Sequence, residues 1–188
     1  MAHTPDDTLI GPSLGSPAAW KAYFREVGAN HLEDLDLLVD TVYEIAVHPD
    51  VFLRAHFIIA QGVHETSEDR DGDGEWTPFT SEAWDYLNPA GIGVTSPAER
   101  GWHTFPSGRD SALAWLIRLV WYTRGTIPDV LQPHLHTNPR ALPEAAKGTR
   151  QTLRQFGNAD WRNFPTWAAN DDYGRKWADM LNRLAPIF

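Results

Sequence analysis

The segment that most constrains this chain is the apolar run Val51-Phe52-Leu53-Arg54-Ala55-His56-Phe57-Ile58-Ile59 and its continuation, Ala60-Gln61-Gly62-Val63-His64-Glu65-Thr66-Ser67. An acid-rich stretch, Glu68-Asp69-Arg70-Asp71-Gly72-Asp73-Gly74-Glu75, follows at once. Read as one helix from about Val51 to Thr66, the run is oily on nearly every side, which is the pattern of a buried core helix. A carboxylate at the end of such a helix is costly to ionise. Burial and the negative end of the helix dipole both oppose its charge and raise its pKa. A general acid working near neutral pH needs that property. Glu65 is therefore either an acid of that kind or simply the first solvated residue after a core helix. Ile58, Gln61, Gly62 and Glu65 share one helical face. Gly62 leaves room there for either a substrate slot or a close helix contact, and Gln61 puts a neutral hydrogen-bonding group at the same surface.

At 188 residues the chain is long enough for one domain with a real hydrophobic core. It has no cysteine, which excludes disulfides, thiolate metal sites and cysteine nucleophiles. The net charge of -9 argues against nucleic-acid binding and against attraction to anionic membranes. A monomer is expected. Nine tryptophans are a heavy load, and exposed indole rings stack on sugar faces. The start, Met1 to Asp7, has neither the basic residues nor the apolar stretch of a secretory signal. No oily segment reaches membrane-spanning length.

Residues 1–18, rich in Pro, Gly and Ser, read as an irregular N-terminal arm, and residues 19–188 as the domain proper. Ala18 to Phe24 predicts a short helix. Leu35, Leu38, Val39, Val42, Ile45 and Ala46 form the apolar stripe of a longer one that ends near Pro49. After the central helix, Pro and Gly punctuate residues 76–105 too often for a long helix. Short strands are expected around Gly91 to Thr95 and Gly101 to Phe105. Helix returns from Asp110 to Arg124, stopped by Gly125. A proline-broken connection, a short helix near Thr149 to Phe156 and a last helix from about Asp171, capped by Asn170, complete the chain. The predicted class is α+β, mainly α.

Other segments bear on chemistry. Asp69, Asp71 and Asp73, at alternate positions around Gly72, match the first half of an EF-hand-type loop, with the Glu75 carbonyl as the next oxygen. The twelfth position is Thr80 rather than the expected Glu, so the reading lies between a structural calcium site and a solvated acidic loop. Asn88-Pro89-Ala90-Gly91-Ile92-Gly93-Val94-Thr95 does not fit a dinucleotide fingerprint and reads as a turn. His134 and His136 lack a third ligand at a telling spacing. Neither a Gly-x-Ser-x-Gly elbow nor a P-loop occurs.

Taken together, Ala60 to Thr66, Asn88 to Thr95, Thr104-Phe105-Pro106-Ser107-Gly108 before a helix, and Trp167-Ala168-Ala169-Asn170-Asp171-Asp172-Tyr173-Gly174 resemble, in order, the glucosaminidase domain of bacterial and phage peptidoglycan hydrolases, glycoside hydrolase family 73. The resemblance implies a lysozyme-like fold in which a helical lobe faces a small β-containing lobe. It also implies cleavage of the β-1,4 bond after N-acetylglucosamine in the bacterial glycan strand, with Glu65 as the acid. No cofactor is required for that chemistry. Glu82 and Asp85 are candidate second acids if the calcium loop engages Asp69, Asp71 and Asp73. A carboxyl separation of about 5 Å would imply retention and a wider gap inversion. Gln61, Trp84, Tyr86, Asn88, Trp167 and Tyr173 are candidate substrate-binding residues, with Trp76 and Trp102 as further stacking rings. Ser67 and Trp167 depart from the family's usual Gly and Tyr. A lytic transglycosylase and a non-catalytic glycan-binding or virion structural module are the rival readings. A leaderless chain of this kind suits a phage or prophage lysin acting on the cell wall, outside the cell or at lysis.

Overall fold

The structure is a computed structural model, and it describes residues 2–67, 76–92, 103–157, 168 and 172–188. It is mainly helical. Among the described residues seven α-helices run in order: α1 (Pro17–Glu26), α2 (Leu32–Ala46), α3 (Ala55–Thr66), α4 (Glu82–Asp85), α5 (Gly108–Arg124), α6 (Leu153–Phe156) and α7 (Tyr173–Leu184). Short 3-10 turns at Gln132–Thr137, Glu144–Ala146 and Ala185–Ile187 fill the proline-broken stretches.

Local chemistry sets most of these boundaries. Ser16 caps α1 by accepting from the Ala19 amide, and Pro17 takes a first-turn position that needs no amide donor. Ser107 caps α5 in the same way through Asp110, and Gly125, at φ 74°, ends it. Thr152 and Gln155 form a reciprocal capping box on α6. The expected boundary at residue 18 falls inside α1, and Leu9 and Ile10 of the arm before it pack into the core. Leu9 is fully buried, its amide donates to Gln151 O and its carbonyl accepts from Arg54.

α3 is buried as its composition predicts: every residue from Ala55 to Val63 is in the interior. It begins at Ala55, later than the expected Val51. Phe52 takes a left-handed conformation, φ 44°, and Leu53 forms an antiparallel bridge with Ile10, so residues 51–54 make a turn. α3 packs against α2, α4 and α7, and α5 covers α2. The extended structure among the described residues consists of isolated bridges, Thr8 with Thr152, Ile10 with Leu53 and one at Thr77. Of the strands expected at 91–95 and 101–105, residues 93–95 and 101–102 lie outside the described residues, and residues 91–92 and 103–105 form no strand. α7 begins at Tyr173 with Asp172 in the cap position; Asn170 lies outside the described residues. Among the described residues no helix is long and apolar enough to cross a membrane.

Four of the six tryptophans among the described residues are structural. Trp20, Trp84, Trp115 and Trp177 are fully buried, and each indole N–H has an acceptor: Tyr43 Oη, Asn30 O, Gln61 Oε1 and Phe57 O respectively. A buried indole carries a donor that must be satisfied, and these four fasten helices to their neighbours.

Candidate active site

Glu65 lies in the last turn of α3, where the helix leaves the core. Its side chain is exposed, yet surrounding protein still pushes its carboxyl above the usual range. These observations describe one geometry: a group recessed among neighbours on most sides and open to water on one. The Tyr173 hydroxyl, hydrogen-bonded to the carboxyl, and the charge of Lys176 act in the opposite direction and favour the ionised form. Burial dominates. His64 is driven toward its neutral form by burial and by Lys176, and its ring meets the Tyr173 ring edge-on at 5.6 Å.

Thr66 fastens the end of α3 to the segment that follows the acid-rich stretch. Its hydroxyl donates to Gly62 O at 2.6 Å and accepts from the Phe79 amide at 3.1 Å. Its carbonyl accepts from the amides of both Thr80 and Ser81. Ser67, where the resembled family has Gly, sits in extended backbone, φ -79°, and its hydroxyl donates to Val63 O. No left-handed turn is needed there, so serine fits without strain.

The Gly62 face is a packing contact. A Cβ on Gly62 would meet Phe79 Cζ and Trp115 Cη2, each at 2.9 Å. Beneath the acid runs a buried chain of hydrogen bonds. Trp115 Nε1 donates to Gln61 Oε1 at 3.1 Å, and Gln61 Nε2 donates to the Tyr173 hydroxyl at 2.7 Å. Gln61 is fully buried and Tyr173 nearly so, which makes them supports for Glu65 rather than surfaces that meet a ligand directly.

The other sequence candidates are dispersed. Trp84 is fully buried, edge-on to Phe79 at 4.9 Å, so as placed it offers no ring face for stacking. Tyr86 is half-buried. Asn88 is a buried clip: its Nδ2 donates to Ile92 O and His103 O, and its Oδ1 accepts from the Ile92 amide. That is the turn reading of this segment. Glu82 and Asp85 are both exposed on α4, and Asp85 lies 3.3 Å from His31 Nε2. Trp102 and Trp167 lie outside the described residues, as do Asp69, Asp71, Asp73 and Glu75. Among the described residues no cluster of His, Asp or Glu is placed to hold a metal ion.

Among the described residues Trp76, 57% exposed, is the exposed indole available for stacking. It borders a groove of about 270 Å³ with His64, Ser67, Lys176, Asp179, Met180 and Arg183. The groove runs along α7 beside His64 and Ser67, and Glu65 itself is not among its lining residues. Its α7 wall was readable as an i, i+3, i+4, i+7 stripe but was obscured by the stronger apolar stripe beside it. Trp115 shares a helical face with Ala112, Leu116 and Leu119, so its inward phase was also legible; its partner was not. A larger cavity, about 550 Å³, lies away from the acid between the N-terminal arm and Phe188. Comparison with models of protein families, with curated proteins and with solved structures returned no match.

Proposed function

We propose that this chain is a peptidoglycan hydrolase of the endo-β-N-acetylglucosaminidase type, with Glu65 as general acid. The observation that carries the reading is the setting of Glu65: a carboxyl recessed at the end of a buried helix, open to water on one side, with its pKa raised by burial and the Tyr173 hydroxyl on it. A carboxyl whose pKa is raised keeps its proton to higher pH than a free one, and that proton can pass to the glycosidic oxygen as the bond to the sugar breaks. Trp76 and the groove along α7 supply a ring and polar side chains where a glycan strand would lie. A lysozyme-like arrangement with a β-containing lobe after α3 belongs to the same proposal, as do a monomeric state and action on the cell wall. So does a structural calcium ion on the 69–75 loop.

Turbidity loss of purified cell walls, followed by mass spectrometry of the fragments, tests the reading. New reducing N-acetylglucosamine ends that vanish in Glu65→Gln are expected. A 1,6-anhydro muramic end would assign the chain as a lytic transglycosylase. Walls that bind the chain without being cut would leave a glycan-binding module. Cutting that survives Glu65→Gln would remove Glu65 from the chemistry.

A further inference from the structure

The buried chain beneath Glu65 has a direction, and donor chemistry sets it. An indole N–H can only donate. Trp115 Nε1, 3.1 Å from the Gln61 amide, therefore requires the amide oxygen at that end. The amide nitrogen is left at the other end, 2.7 Å from the Tyr173 oxygen, where it must donate. A phenol oxygen that is accepting from Gln61 keeps its own hydrogen for an acceptor, and hydrogen bonding by Tyr173 is among the influences that lower the pKa of the neighbouring Glu65 carboxyl. Gln61 and Trp115 are fully buried, so water cannot substitute for either partner. The room for Trp115 comes from Gly62, against which the indole ring packs.

We propose that Trp115 and Gln61 are positioning residues for Glu65: the indole fixes the orientation of the Gln61 amide, and the amide directs the Tyr173 O–H onto the carboxyl. The inference rests on Glu65 being the acid. One carboxyl oxygen is thereby committed as the acceptor of the tyrosine hydrogen. The acidic proton must then sit on the other oxygen, the one free to face a substrate. With the amide reversed, Tyr173 would donate to Gln61 and offer Glu65 only a lone pair. That arrangement favours the protonated carboxyl and turns its proton toward the tyrosine, away from any substrate.

The test is a ¹³C NMR titration of the Glu65 carboxyl in the full chain, alongside the pH profile of wall hydrolysis. Trp115→Phe removes the donor that holds the amide. Gln61→Glu is isosteric and presents an acceptor to both neighbours. In each variant the Glu65 midpoint and the alkaline limb of the activity profile are expected to move upward, while maximal activity falls. Unmoved midpoints in the folded variants overturn the proposal. The unsubstituted chain supplies a reading that needs no variant. Nuclear Overhauser contacts from the Gln61 amide protons to the Tyr173 ring support the proposed direction, whereas dominant contacts to the Trp115 indole proton reverse it. If the midpoints move but the unsubstituted chain cuts no wall, the relay stands and the glycosidase reading falls.

Discussion

Gln61 donates a 2.7 Å hydrogen bond to the hydroxyl of Tyr173, joining the middle of α3 to the first residue of α7 across 112 positions of sequence. The tyrosine is held by this bond, by T-shaped contacts with the rings of His64 and Trp177, and by its interaction with Glu65. The next residue, Gly174, lets α7 approach the backbone of α6, since a Cβ there would lie 2.6 Å from Arg154 Cα.

Glu65→Gln should stabilise the chain in a pH-dependent way. A carboxyl whose pKa is raised in the folded state binds its proton more tightly there than in the unfolded chain. Stability then falls as pH rises from the unfolded pKa through the folded one. The Tm gained by Glu65→Gln is expected to be larger at pH 8 than at pH 4. Equal gains at both would mean that burial does not raise this group.

His56 gives the opposite slope. Burial, Arg54 and His3 lower its pKa from 6.5 to about 3. Its Nδ1 accepts from the Leu14 amide at 3.0 Å, which places the proton on Nε2, buried without a partner among the described residues. Between those two pH values the unfolded chain binds the proton and the folded chain does not, so stability is lost as pH falls from about 6.5 toward 3. His56→Asn keeps an acceptor near the Leu14 amide and removes the titration. Thermal melts from pH 7 to pH 4 should therefore be flatter for the variant. Parallel curves would rule out this role.

Gly62→Ala should destabilise. The added methyl meets Phe79 and Trp115 at 2.9 Å. Overpacking costs about 1–3 kcal/mol, against a helix-propensity gain of up to about 1 kcal/mol. A net loss of about 1–2 kcal/mol is expected in denaturant melts, and an unchanged midpoint would show that both rings move aside easily.

Trp76→Ala separates binding from folding. An indole that is 57% exposed contributes little to the core, so stability should stay within about 0.5 kcal/mol. Loss of a stacking ring should raise KM for glycan fragments by up to roughly tenfold with kcat little changed. Unchanged KM would place the glycan away from this groove.

Calcium can be tested without a variant. The acids at 69, 71 and 73 around Gly72 predict a rise in Tm at millimolar Ca²⁺ that EDTA reverses. No rise would leave the segment a solvated acidic loop.

Much of the fold was legible because periodicity and caps are local. The stripe of α2, the burial of α3, the Gly125 stop and the helix after Ser107 follow from neighbours a few residues apart. The late start of α3 was hidden for the same reason: a bridge between Leu53 and Ile10 overrides the helical pattern of residues 51–54. Glu65 stood out in the sequence as an acid ending an oily run, and the structure adds a raised pKa and a recessed setting. The sequence predicts Gln61 and Tyr173 as substrate contacts because it shows polarity, not direction; in the structure both are buried and bonded to each other. The sequence predicts Trp84 as a stacking ring because it does not tell an exposed indole from a buried one, and the structure buries it.

By itself, the sequence determined a helical chain built on one oily helix with a carboxylate at its end, since hydrophobic spacing and capping act over a few residues. Only the tertiary structure decided what that carboxylate touches. Trp115, Gln61 and Tyr173 come from three different helices, and the order of donors and acceptors among them exists only once α5 and α7 pack against α3 and exclude water.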